Sequence, residues 1–457
     1  MQIKIIAYLL FISTSTFATH LIGGFITLEH QTGYTYKVRF VSYTNVGPQI
    51  QADRCIQTIL FSDGDSIIAP RVNGPMSSCP FPATMGVVIA NGIKYNVYEG
   101  IKTFNNPGNY LAWTLNANRN DGIINIPNSV NMPIYVETYI SVLDPNLYCP
   151  VSTIDFGHLP ILTAKTNNIF KSDLPIIKSD GDSVTYQIDT CKFGVNMPIV
   201  GYILPQGTSL NTNYGKFKID AQSTQGQYAF ALKANKFRNG VLVSYTIVDF
   251  NFLISGTLTN NVQLPLTSNL TINSDSVYVG SFATNDTIRI NYNNAAQHQI
   301  NIFSEINNSL ISQNVIGTNT ALSIANLGAL DRKQSYKITI RAIDNPMTNN
   351  AGKDYIFYFT VGNTDSLLCT LPQDLGGKNI VMNEVVLYPN PSQNELFIGN
   401  APLNSNILIY NLQGQMVFYT ALQKTSINIS ELTQGLYFYK INDLHGGLIS
   451  NGKIIKE

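Results

Sequence analysis

An all-β chain of tandem β-sandwiches, ending in a smaller β module, is the fold class that three features of the sequence predict. Aromatic residues make up 11% of the 457 residues and nearly match the 12% that are charged, with 25 Tyr and 22 Phe against one Trp. Such a composition suits half-buried strand faces rather than a helix bundle or a disordered chain. Short runs alternate between apolar and polar side chains: Tyr34, Tyr36, Val38 and Phe40 share one face, and Thr35, Lys37 and Arg39 the other. A strand with one buried side requires that period of two. Clusters such as Ser62-Asp63-Gly64-Asp65, Asn105-Asn106-Pro107-Gly108 and Asn120-Asp121-Gly122 punctuate the runs and supply turn chemistry. The 28 basic and 28 acidic side chains cancel, so no global field favours nucleic acid or an anionic membrane.

The chain opens with Lys4, an apolar run over 5–12, and a short segment in which Thr16 and Ala18 take the −3 and −1 positions of a cleavage site. This pattern predicts a signal peptide over 1–18, cut between Ala18 and Thr19. The run is far short of the ~20 residues a membrane span needs. The nearest later stretch, 241–254, is interrupted by Ser244, Asp249 and Asn251, so no transmembrane span is expected in the mature chain.

Strand-like runs then recur at 87–90, 134–142, 184–188, 228–232, 241–248, 336–342 and 355–361. Their spacing argues for sandwiches in tandem rather than βαβ units. Composition shifts place a β-sandwich domain over 19–160, a cadherin-like or Ig-like β domain over 161–257 and an Ig-like sandwich over 258–362. A linker rich in Gly, Pro, Asp and Leu follows over 363–382, and a dense β module over 383–457 has strands at 396–398, 407–411, 416–419, 427–429 and 436–441.

None of the five cysteines forms a close C-x-x-C pair, so disulfides are expected rather than a zinc knuckle. The simplest allocation joins Cys55 to Cys79, closing a turn-rich segment for roughly 3 kcal/mol. It also joins Cys149 to Cys191 across the passage between the first two domains and leaves Cys369 free in the linker. Other connectivities, and buried free thiols, stay open, because strands distant in sequence become neighbours in a Greek key.

In the last module, Leu387-Tyr388-Pro389-Asn390-Pro391, the strand Ile409-Tyr410-Asn411 leading to Gly414, Ile429-Ser430-Glu431-Leu432, Gly435-Leu436-Tyr437 and the closing Lys453-Ile454-Ile455-Lys456 occur in order. This segment resembles the type IX secretion system C-terminal sorting domain, type A. The resemblance implies that Tyr388, Pro389, Asn390, Pro391, Gly414, Gly435, Tyr437, Lys453 and Lys456 belong to an address read by the outer-membrane translocon and its sortase. It also implies a protein secreted from, or held on, the surface of a Gram-negative bacterium. More loosely, Thr19-His20-Leu21-Ile22-Gly23-Gly24, Asn118-Arg119-Asn120 with the 122–131 segment, and Asp180-Gly181-Asp182-Ser183-Val184-Thr185-Tyr186 resemble a region of surface proteins from gliding bacteria. That region usually has an acid after Gly-Gly; here Phe25 stands in its place.

Candidate chemistry is sparse. The five histidines are scattered, and no H-E-x-x-H, G-x-S-x-G or Walker-type loop occurs; Glu29 beside His30 reads as structural. Asp180 and Asp182 flank a glycine as calcium ligands can, with Asp249, and also Asp189, as contributors from neighbouring strand ends. Asp-Gly is equally a hairpin signal. Asp63-Gly64-Asp65 is a weaker version, and Asn116, Asn118 and Asn120 lack the charge and glycine register of a calcium loop. No other cofactor is expected. Exposed Tyr and Asn suit sugars through stacking and amide hydrogen bonds. The expectation is a non-enzymatic, modular surface or secreted protein serving adhesion or surface structure, with glycans or surface proteins as partners. The alternative is a carbohydrate-binding accessory acting on extracellular polymers.

Overall fold

A computed structural model of the chain describes residues 21–46, 54–79, 82–90, 92–116, 119–220, 224–257, 262–330, 332–344, 352–362, 385–399, 405–412, 414–422, 426–442 and 448–457. Ala18, Thr19, His20, Asn118, the 363–382 linker and Cys369 lie outside them. Among the described residues all regular structure is β strand apart from three short 3-10 turns, as the composition predicted. The chain divides into two compact units, 1–373 and 374–457.

The hub of the first unit is the Val241–Ser255 strand. One edge pairs with Gly226–Arg238 along nearly its whole length, and Ser183–Asp189 adds to the far side of that partner. Three segments share the other edge in succession: residues 138–140 face 244–246, Gly23 and Gly24 face Phe250 and Asp249, and Thr163–Lys165 runs parallel to 253–255. The expected domains 19–160 and 161–257 are therefore woven into one twelve-stranded sheet, and no boundary between sheets falls at 160/161.

The reason is burial. Leu21–Thr32 has eight consecutive buried residues, and Val241–Ser255 has seven from 246 to 252, so both strands need cover on both faces. Phe25, Val41, Tyr43, Phe230 and Phe250 fill the core on one side. Ile26, Leu28, Tyr36, Val38 and Phe40 fill the core on the other. Neither half of the sequence supplies both layers alone.

Residues 262–361 carry their own core, including Ile288, Ile290, Leu322, Ile338, Ile340, Phe357 and Phe359. A four-stranded sheet packs there against a five-stranded one. In the latter, Tyr278–Phe282 runs parallel to Gly352–Val361, while Arg332–Ile343 pairs antiparallel with both Gly352–Val361 and Gln299–Ser304. The second unit is a smaller two-sheet sandwich. Val386–Tyr388, Glu395–Gly399 and Ser426–Asn428 form one sheet. Met416–Ala421, Asn406–Tyr410, Gly435–Asn442 and Leu448–Lys456 form the other, in that order. Leu396, Ile398, Ile407, Ile409, Ile441 and Ile454 lie between them.

Candidate functional site

The residues around Gly-Gly are structural. A Cβ on Gly23 would stand 2.5 Å from the Asp249 carbonyl oxygen, and one on Gly24 2.4 Å from that of Val41, so the pair lets the first strand pass between two backbones. Phe25, where relatives are expected to place an acid, is fully buried and meets Phe156 edge to face at 5.4 Å. The Arg119 guanidinium, also fully buried, donates to Asp249 through Nη1 at 2.7 Å and Nη2 at 2.5 Å. Beside it the Asn120 amide donates to Gln227. Asn125 exchanges two hydrogen bonds with the Ala229 backbone, clasping the 119–131 segment onto the Gly226–Arg238 strand.

Asp180 and Asp182 do not converge with Asp249 on a common point. Lys236, fully buried, donates to Asp180 at 2.7 Å and to the Ser152 carbonyl at 2.7 Å, and lies 3.3 Å from Asp182. Arg238 grips Asp182 with Nε and Nη2 at 2.8 and 2.9 Å and reaches the Cys149 carbonyl through Nη1. Burial pushes the Asp180 carboxyl up, yet the Lys236 ammonium outweighs it and holds that carboxyl below its ordinary value. Asp249 lies five residues beyond Ser244, the residue facing Lys236, which is roughly 16 Å along a strand. Asp189 is near Lys192 at 3.7 Å. The expected calcium ligands are thus cation-paired loop and strand residues. Among the described residues no group of three acidic, His or Cys side chains is placed to share a metal.

A third set of buried charges joins the Phe170–Asp173 strand, part of a separate three-stranded sheet, and the loops beside it to the 262–361 sandwich. Lys337 Nζ donates to Asp173 at 2.8 Å and to the Leu174 and Tyr214 carbonyls at 2.8 and 2.7 Å, while Thr339 donates to the other Asp173 oxygen. Arg341 forks onto Asp354 through Nε and Nη2 and donates to the Leu159 carbonyl through Nη1 at 2.6 Å. Asp354 also accepts from Ser172 and the Asp173 amide. Burial pushes the Asp173 carboxyl up and the Lys337 ammonium down, and their mutual attraction opposes both shifts. Sequence reasoning missed this network: the bonds across the junction link residues 123 to 182 positions apart, and no local pattern marks them. Next to it opens a groove of about 280 Å³ lined by Ser183, Thr185, Asn213, Glu305, Gln334 and Tyr358, among others. Ser179 donates to Glu305 and Tyr214 meets Tyr358 edge to face at 5.3 Å.

Cys55 and Cys79 are joined by a disulfide. Cys191 is a free, fully buried thiol, and Cys149 is disulfide-bonded, so the expected Cys149–Cys191 bridge is not formed. Cys191 instead packs against Ile123, Ile126, Ile199 and Ile247 beside the Arg119–Asp249 pair, and burial pushes its thiol far up. Of the histidines, His30 faces the Gly33 carbonyl; its neighbour Glu29 is held below the carboxylate range by a hydrogen bond from Lys178. His158 is enclosed by aromatic rings.

In the second unit the two ends of the expected sorting motif meet. The Asn390 amide donates to the Lys453 carbonyl at 3.0 Å, and its oxygen accepts from the Ile455 N–H at 2.8 Å. Ser392 then exchanges backbone bonds with Ile455 and Glu457. Pro389 and Pro391 are exposed on either side of Asn390, and Tyr388 faces Phe397 in register. Gly414 turns with φ 76°, a conformation that favours glycine. Tyr437 is buried with its hydroxyl on the Thr433 carbonyl. Gly435 pairs with Lys456, which is nearly buried, whereas Lys453 is exposed.

Comparison with curated proteins returns no match. Solved structures similar to the chain include the tandem Ig domains A164-A165 of titin (10% identity, 44% of this chain and 92% of that one, TM-score 0.16). Drosophila N-cadherin EC1-4 (10%, 90% and 94%, 0.17) and extracellular domains 3-5 of Drosophila OTK (10%, 77% and 99%, 0.15) are others. The Asn390 clasp and the strands around it fall within a matched family: residues 386–457 match the secretion system C-terminal sorting domain.

Proposed function

We propose that this chain is a non-enzymatic, modular protein of the cell surface or the extracellular medium, serving adhesion or surface structure. In this reading, residues 383–457 address it to type IX export after signal-dependent entry into the periplasm. The observation that carries the reading is the terminal module, in which Asn390 fastens the Tyr388–Pro391 segment to the closing strand inside the matched span. The candidate residues elsewhere support a non-catalytic role, since Arg119 is paired with Asp249, Lys337 with Asp173, Lys236 with Asp180 and Arg238 with Asp182. Fractionation of cells carrying the whole chain, or a chain ending before Glu384, tests it. The whole chain is expected outside and the truncated one in the periplasm; equal export of both would refute the address.

A carbohydrate-binding role is the second reading. The groove of about 280 Å³ favours it, because hydroxyl, amide and carboxylate groups stand there beside the Tyr358 ring, the mixture that recognises a sugar's hydroxyls and its C–H face. A glycan array on the exported protein, repeated with Tyr358→Ala, distinguishes the two: sugar binding lost in the variant favours this reading.

A further inference from the structure

The sorting module has one sheet face that its own core does not use. In the sheet of Met416–Ala421, Asn406–Tyr410, Gly435–Asn442 and Leu448–Lys456, the residues Ile407, Ile409, Tyr437, Tyr439, Ile441 and Ile454 point inward and are buried. Because successive side chains alternate, the residues between them point outward, and cross-strand register sets them in rows. Met416, Tyr410, Phe438 and Lys453 stand side by side in one row. Tyr419, Leu408, Lys440 and Asn451 stand in the next. An exposed strand face is ordinarily polar, yet here Phe438 is 46% exposed, Tyr419 57% and Met416 56%.

Two features say what covers this face. Large exposed aromatic side chains clustered in one patch are the residues on which protein interfaces concentrate their affinity. The charges at these positions are all of one sign: Lys453 ends the first row, and Lys440 stands inside the second, with its ammonium over the Tyr410 ring at 5.8 Å from the centroid. No carboxylate occupies either row. We propose that this outward face, centred on Phe438 and Tyr419 and carrying Lys440 and Lys453, is the surface by which the export machinery reads the module. Its partner is a protein with an apolar, aromatic-accepting groove that also carries acidic groups. The inference rests on the export reading above and names the surface that performs it.

The test is export of the full chain in its secreting host. Phe438→Ser/Tyr419→Ser removes the apolar centre, and Lys440→Glu/Lys453→Glu reverses the charge; all four side chains are exposed, and thermal melting of each purified variant verifies folding. Phe397→Ser, on the module's other sheet, serves as the control. Both double variants are expected to accumulate in the periplasm with export down roughly tenfold or more, the loss that one hot-spot aromatic accounts for, while the control is exported normally. Folded double variants exported at the wild-type level, with the chain ending before Glu384 retained, would overturn the face and leave the address standing. Export of that truncated chain would remove both. Equal retention of Phe397→Ser would also overturn the face, since the signal would not be confined to it. Loss of binding to anionic vesicles in the double variants, with export unchanged, would assign the face to lipid instead.

Discussion

Gly23 has no room for a side chain because the strand it lies on crosses Asp249 and Phe250 at backbone contact. Gly23→Ala must push two central strands apart and is expected to cost about 3 kcal/mol, read as a lowered denaturation midpoint with an unchanged slope. His158 makes a different kind of demand. Its ring lies against Tyr95, Tyr43 and Phe303 with centroids 5.8, 5.1 and 6.0 Å away. Burial, reinforced by the Arg341 guanidinium, pushes its pKa down to about 3. Since an unfolded histidine titrates near 6.5, the unfolded chain binds the extra proton between those two values. Stability from this residue is full above pH 6.5 and is lost as pH falls through the window, on the order of 4 kcal/mol by its lower end. Thermal melts of wild type and an equally well packed His158→Phe are expected to coincide near pH 7 and to diverge towards pH 4, the wild type losing stability that the variant keeps.

Among the elements, the 54–79 segment shows how a covalent tie substitutes for core. Its strands Ile56–Phe61 and Ser66–Pro70 form the edge of the large sheet, and the rest of the segment is turn and bridge. The Cys55–Cys79 bond spans 24 positions. Removing it by Cys55→Ser/Cys79→Ser is expected to lower stability by about 3 kcal/mol, measured by denaturant titration. Thiol labelling checks the assignment of Cys191. It is expected to resist a maleimide in the native protein and react once unfolded, because it is enclosed by isoleucines; rapid native labelling would contradict that burial. The Val241–Ser255 strand illustrates the opposite economy, holding four partners by pairing and needing no covalent help.

For the whole molecule, the junction between the Phe170–Asp173 strand and the 262–361 sandwich is decided by buried charge rather than by grease alone. Lys337 and Asp173 are each at most 1% exposed, so Lys337→Met strands a carboxylate in the interior and is expected to cost about 3–5 kcal/mol. The double variant Lys337→Met/Asp173→Leu removes the stranded charge and is expected to recover a large part of that loss. A double variant no better than the single one would show that the other hydrogen bonds to Lys337 and Asp173, not the ion pair, govern the junction. Chemical denaturation monitored by tyrosine fluorescence reads both variants.

The sequence alone determined the β class, most strand positions and the identity of the terminal module, because alternation and turn chemistry are local and the sorting motif is a set of residues in fixed order. The run at 134–142 is the Ile134–Val142 strand. Pairing between strands was not legible: nothing near residue 21 specifies residue 250 as its neighbour, so two halves that share one sheet read as two domains. The same limit misplaced the chemistry. Asp180, Asp182 and Asp249 looked available as ligands because Lys236, Arg238 and Arg119, which neutralise them, are 54 to 130 residues away. Only the tertiary structure decides which charges meet, since an ion pair in the interior is fixed by where the strands are carried and not by the spacing of its members along the chain.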